Sequence, residues 1–203
     1  MAPDSDSPHT SIFRPATPDD CRYIAELIAI SSDGVALIEW TEEAEKVEGL
    51  SPIDVGARAY ADPDGDYSYR NCVIAESNGR VAGALLTFAM DARETPAAPP
   101  PFDGSDVYAT YKYLEAPDTW YVCGVALYPE YRGQGLGTRF MELAKAQARD
   151  AGFDRISLVA FEQNTGSVRL YERLGYEVVD RAPIVPHPLI HYTGDALLMV
   201  AQV

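Results

Sequence analysis

The stretch that decides the fold is Val125 to Met141, V-A-L-Y-P-E-Y-R-G-Q-G-L-G-T-R-F-M. The residues that run into it, Trp120 to Leu127, are apolar, aromatic and partly β-branched, which predicts a strand. Pro129 has no N–H for a ladder, so the strand stops there. Three glycines then fall within five residues, at Gly133, Gly135 and Gly137. Beyond them Leu136, Phe140, Leu143, Ala144 and Gln147 recur at spacings of three and four, which predicts a helix to about Asp150.

A strand, a glycine-rich turn and a helix start make an anion site. The first helical N–H groups lack intrahelical acceptors, and the helix dipole favours negative charge there. Glycines let the backbone approach a bulky phosphate. Arg132 adds a cation at the mouth. A phosphate, and more specifically a pyrophosphate, is therefore expected on Arg132 to Gly137. A Walker A loop is rejected, because no Gly-Lys follows. A dinucleotide fingerprint is broken, because Thr138 stands where its third glycine belongs and Pro129 interrupts the approach from the strand. On the loop alone, a glycine turn without a ligand stays open.

The run R-G-Q-G-L-G after V-A-L-Y-P-E-Y resembles the acyl-CoA-binding motif of the GNAT superfamily of N-acetyltransferases, Q/R-x-x-G-x-G/A. Arg132, Gly135 and Gly137 fill its fixed positions. A second segment, Asn164-Thr165-Gly166-Ser167 leading into Leu170-Tyr171-Glu172-Arg173-Leu174-Gly175-Tyr176, resembles that family's N-x-x-[AS]-x-x-L-Y-x-x-x-G-[FY] pattern. The resemblance is specific over Tyr121 to Val179. It implies an α/β fold with a central, mostly antiparallel mixed sheet, flanked by helices and splayed between its fourth and fifth strands. Here those strands would be Thr119–Leu127 and Arg155–Phe161. It implies acetyl-CoA as cosubstrate, an amine as acceptor and no metal. By the same resemblance, Val125, Ala126 and Leu127 meet the pantetheine arm. Arg132, Gly133, Gln134, Gly135, Leu136, Gly137 and Thr138 hold the phosphates, and Asn164 and Tyr171 complete the cofactor site. Tyr171 is the implied general acid, and the backbone N–H of Val125 the implied oxyanion donor.

The chemistry asks more than the motif supplies. A lysine-like amine has a pKa of about 10.4, so roughly one molecule in 2,500 is neutral at pH 7. The site must remove a proton, stabilise an oxyanion and reprotonate a thiolate. Tyr121 to Leu127 contains no Asp or Glu. The base must come from Glu39, Glu42 or Glu43, or act through water. Two function classes follow: a catalytic N-acyltransferase, and a non-catalytic acyl-CoA-binding or sensing domain, which the missing strand carboxylate favours. Tyr171 also suits a core position beside Leu170 and Leu174. The acceptor stays open among small amines, amino acids, aminoglycoside-like compounds, peptide N-termini and lysine.

The chain of 203 residues suits one domain, 11–203, behind a tail at 1–10. An excursion at 91–118, bearing Pro99-Pro100-Pro101, is expected between the third and fourth strands. The first residues carry no apolar signal, no stretch is long enough to span a membrane, and the likeness leaves room for a homodimer. Cys21, Cys72 and Cys123 are too scattered for a disulfide frame or metal knuckle, so a reducing cytoplasm is expected. His187 and His191 lie in a proline-rich connection and read as exposed. The net charge of −15 argues against nucleic acid. Residues 1–118 hold 22 acidic and 8 basic side chains, net −14, and the remainder 9 and 8, net −1. The acidic part would draw a cationic partner.

Earlier elements read as a strand at Ser11–Arg14 and helices from Thr17, Val35 and Pro52. Asn71–Glu76 and Arg80–Met90 read as a hairpin. The tyrosines 108, 111 and 113 read as packing under the excursion. Asn164 or Thr165 caps the last helix, and Tyr176–Arg181 and Ala196–Val200 read as a closing strand pair.

Overall fold

The computed structural model describes residues 11–90 and 106–203. The expected tail and residues 91–105 of the expected excursion lie outside them. The strands are β1 Ser11–Pro15, β2 Cys72–Ser77, β3 Arg80–Met90, β4 Thr119–Leu127, β5 Arg155–Phe161, β6 Glu177–Pro183 and β7 Asp195–Gln202. The helices are α1 Cys21–Ser31, α2 Val35–Ala44, α3 Pro52–Tyr60, α4 Ala109–Tyr113, α5 Leu136–Asp150 and α6 Thr165–Arg173. One seven-stranded sheet runs β1-β2-β3-β4-β5-β7-β6. Its neighbours are antiparallel except β4 and β5, which are parallel.

Local chemistry sets the starts. Asp20 accepts from the Thr17 N–H at 2.8 Å and the Thr17 hydroxyl at 2.9 Å, closing a capping box ahead of α1. Arg14 on β1 forks onto the same carboxylate at 2.7 and 2.9 Å, which holds its pKa below the usual range. At α3 the Ser51 hydroxyl accepts from the Asp54 N–H at 3.2 Å. The short helix α4 lies between β3 and β4. Tyr108 and Tyr111 pack against the apolar cluster of Phe161, Ile184 and Leu198, as the packing reading has it. The Tyr113 side chain lies outside the described residues.

Two apolar layers sandwich the sheet. On one face α5 drives Phe140 and Met141, both fully buried, against Leu85, Ile156 and Leu158. Truncating Phe140 to alanine would cost about 3–5 kcal/mol, because the close-packed core cannot refill the hole. On the other face α1 sets Ile24 and Leu27 against Ile74 and Leu86.

Two departures from regularity in β4 place the site. Leu86 opposes Gly124 and Thr87 opposes Val122, so Cys123 is an extra, bulged residue. Val122 and Val125, three apart, consequently pack in the same α5-side cluster. The second departure is at β5. Trp120, Tyr121 and Val122 pair with Ile156, Ser157 and Leu158, and the ladder then ends. Beyond it the strands part, between the two strands where the splay is expected.

Candidate active site

The parted strands open a cavity of about 810 Å³. Val125, Ala126 and Leu127 line one side and Val159, Ala160 and Phe161 the other. Val125, Ala126 and Leu127 are paired with Leu85, Ala84 and Gly83 on β3 and have no ladder partner on β5. The Leu127 carbonyl takes Arg132 Nε, and the remaining groups that face the gap are left for water or a ligand to satisfy.

One end of the cavity is the glycine turn. Gly135 is the N-cap of α5 with φ 80°, a left-handed conformation that glycine adopts without strain. No side chain caps this helix, and no acid stands in its first turn. By contrast the Asn164 side chain accepts from the Ser167 N–H at 3.2 Å and caps α6. The longest helix among the described residues therefore meets the cavity with bare N–H groups, where its dipole favours an anion. Arg132 stands exposed beside the turn, its Nε donating to the Leu127 carbonyl at 3.2 Å.

Of the residues expected at the site, Val125, Ala126, Leu127, Arg132, Gly133, Gly135, Gly137, Thr138, Asn164 and Tyr171 line the cavity. Gln134 does not; its amide donates to the Glu130 carbonyl at 3.0 Å. The Leu136 side chain is 3% exposed and packs in the α5-side core. Asn164 spends its side-chain oxygen on capping, which serves α6 first.

Tyr171 comes off α6 and is buried at the cavity wall, its ring 5.8 Å from that of Tyr176. Burial pushes its pKa up to about 12, against the pull of the Ser167 hydroxyl. The phenol is thus a proton donor at neutral pH and not a base. The Ser167 hydroxyl is the group that favours the ionised form of this phenol.

Sequence reading missed the opposite rim. Ile30, Ser31 and Asp33, at the end of α1, line the cavity together with Tyr192. Asp33 accepts from the N–H groups of His191 at 3.0 Å and Tyr192 at 2.7 Å, tying the β6–β7 connection to the α1–α2 turn. The exposed His191 imidazole stands 3.4 Å from the same carboxylate. Tyr192 in turn packs on Phe161, ring centroids 5.4 Å apart. The overlooked signal was Gly124 inside an apolar strand. A Cβ there would come within 2.5 Å of Ile28 Cδ1 and 2.9 Å of Ser31 Oγ, so its absence lets the end of α1 lie on β4.

No candidate base lines the cavity. Glu39 is exposed on α2, and Glu43 pairs with Lys46. Asp33 is the one carboxylate among the described lining residues, and it is engaged. Cys123 is partly accessible, not sealed in the core, yet burial pushes its thiol up to about 12, aided by Asp66. It stays neutral and is a poor nucleophile. Among the described residues no His, Cys, Asp and Glu group is placed to hold a metal, and no helix is long and apolar enough to cross a membrane.

The sequence model of the Acetyltransferase (GNAT) family matches residues 35–176. Mycothiol acetyltransferase of Thermobispora bispora is 46% identical over 56 residues, 28% of this chain and 18% of that protein. The match thus spans under a fifth of that relative's length. Thialysine N-epsilon-acetyltransferase of Bos taurus is 24% identical over 179 residues, 84% of this chain and 86% of that protein. Among solved structures, an acetyltransferase superposes with TM-score 0.66 at 21% identity, covering 95% of this chain and 99% of its own. A protein from Salmonella typhimurium, solved with its cofactor acetyl-CoA, gives 0.59 at 23% identity over 95% of this chain and 94% of its own. With the family model matched across the parted strands, the glycine turn and α6, this chain belongs to the GNAT family of acetyltransferases.

Proposed function

We propose that the protein is an N-acetyltransferase that moves the acetyl group of acetyl-CoA to an amine by direct attack. The observation that carries this is the continuity of the cavity: unpaired β4 and β5 backbone, then the uncapped α5 start, with Tyr171 in the wall between. The α5 N–H groups and Arg132 suit a pyrophosphate. The backbone beyond Val122 suits the amides of a pantetheine arm. In this reading the acceptor nitrogen bonds to the thioester carbonyl carbon as the carbon–sulfur bond breaks. A backbone N–H at Val125 supports the oxyanion, Tyr171 gives its proton to the departing sulfur, and the proton shed by the amine passes to water. No engaged carboxylate is needed, because water reaches an open cavity.

Acetyl-CoA should raise the melting temperature, and at 100 times its dissociation constant it should add about 2.7 kcal/mol. An amine screen read by thiol release then tests turnover. A flat melting curve, or a shift with a nicotinamide dinucleotide alone, would sink the proposal. A second reading, a non-catalytic acyl-CoA-binding domain, draws on the absence of a free carboxylate among the described lining residues. It expects the thermal shift without thiol release for any amine.

A further inference from the structure

Beside the cavity, on the sheet face covered by α1 and α2, the side chains of Tyr121 and Cys123 stay partly accessible. They belong to the central strand of the sheet, where residues between helix layers are ordinarily sealed. A recess therefore reaches β4 here. Its wall is a train of rings in edge contact: Tyr67 to Phe88 at 5.6 Å, and Phe88 to Tyr121 at 5.4 Å. Tyr67, the outermost, is 58% exposed and leaves ring surface uncovered. The loop that carries it is fastened by Asn71, whose amide donates to the carbonyls of Gly65 at 3.1 Å and Asp66 at 2.9 Å.

The loop also sets the Asp66 carboxylate next to Tyr67 in the chain. The Tyr67 phenol is pushed up by Cys123, by burial, and then by Asp66, Glu115 and Glu39. Asp66 also acts on Cys123, and Glu115 on Tyr121. Aromatic faces carry negative potential, and so do carboxylates, so both features favour a cation and neither suits an anion. Cys123 adjoins Gly124, on which Ser31 of the cavity rim lies, and Ala126 of the cavity wall packs in the same α1-side cluster, so recess and cavity share that side of β4.

We infer that this recess, walled by Tyr67, Phe88 and Tyr121 with the Asp66 carboxylate on the loop beside it, binds an alkylammonium group of the acceptor. The substrate class it fits is an amine with a second positive charge, an alkyl diamine or a lysine-like side chain. One nitrogen stays charged in the recess while the other is acetylated. The inference rests on the acetyl transfer proposed above and names its acceptor.

The test is calorimetric titration of the full chain with pentylamine and its neutral isostere 1-pentanol, each with and without saturating CoA. Pentylamine should bind about tenfold more tightly than the alcohol, the scale of one partly desolvated cation–ring contact with a carboxylate nearby. Asp66→Asn and Tyr67→Leu should each reduce that ratio about threefold or more, and Tyr67→Phe, which keeps the ring, should preserve it. Equal affinities, no binding of either probe, or a ratio indifferent to Asp66→Asn and Tyr67→Leu would overturn the inference. CoA binding is measured separately. Ammonium preference without CoA binding would overturn acetyl transfer and leave the recess standing; CoA binding with no ammonium preference would do the reverse.

Discussion

The two ends of the β4–β5 pair are built from the same kinds of residue and do opposite work. At the closed end, Trp120–Val122 and Ile156–Leu158 share a ladder, and the buried hydroxyls of Thr119 and Ser157 join the strands at 2.7 Å. Thr119 also donates to the Ala116 carbonyl at 2.7 Å, and Arg155 reaches the Pro117 carbonyl at 3.0 Å. The hydroxyls and the ladder backbone there find partners within the protein, while the buried Trp120 indole N–H finds none among the described residues. At the open end, Val125–Leu127 and Val159–Phe161 line a cavity, and the helix that follows β4 starts uncapped. A sheet can carry unsatisfied backbone at one end because the other end and two helix layers hold the strands in place. Stability and chemistry are thus separated along one pair of strands, and each end should fail in its own way.

The largest effect belongs to the open end. Tyr171→Phe keeps the ring against Tyr176 and removes the hydroxyl; turnover should fall about 100-fold or more with acetyl-CoA affinity nearly intact. Unchanged turnover would make Tyr171 a wall residue, and the open end would lose its acid. Next comes the glycine turn. Gly135→Val would confound binding with strain, since φ is 80° there. Gly137 needs no such conformation, and a Cβ on it would meet only Leu170 Cδ2 at an ordinary 3.5 Å. Gly137→Val should therefore cost acetyl-CoA affinity about tenfold or more and leave the melting temperature of the free protein within a few degrees. Intact affinity would show that the α5 start is not where the phosphates sit.

The closed end should respond in stability instead. Ser157→Ala removes one partner of a buried hydroxyl pair but leaves Thr119 its Ala116 carbonyl, so a loss of about 1 kcal/mol in denaturant unfolding is expected, with kcat unmoved. A kcat change there would mean that the two ends are coupled. The smallest effect is an expected absence. With its pKa raised to about 12, Tyr171 keeps its proton well past neutrality, while a rising pH frees more of the amine. The rate should climb from pH 7 towards 10 with no alkaline fall. A descending limb below about pH 9 would place the acid on another group.

The motif-bearing half was legible because its signals are local. Three glycines, a proline and an apolar period of three to four specify strand, turn and helix without help from distant residues. Asn164 was legible as a cap for the same reason, its partner being three residues away. The rim formed by Ser31, Asp33 and Tyr192 was not legible, since Asp33 meets partners 158 and 159 residues later in the chain. The ring train of Tyr67, Phe88 and Tyr121 joins a loop and two strands, and no spacing in the sequence brings them together.

The sequence by itself determined the glycine turn, the helix that follows it, the order of the elements and the family likeness, all products of short-range sterics and hydrogen bonding. Tertiary structure decided the rest. It chose where β4 and β5 part, since a ladder ends according to what packs on both strands. It bulged β4 at Cys123, so that Tyr121 and Cys123 look into the recess while Val122 and Val125 face the α5 core. It buried Tyr171 at the cavity wall and raised its pKa, because desolvation depends on neighbours that no single stretch of sequence contains.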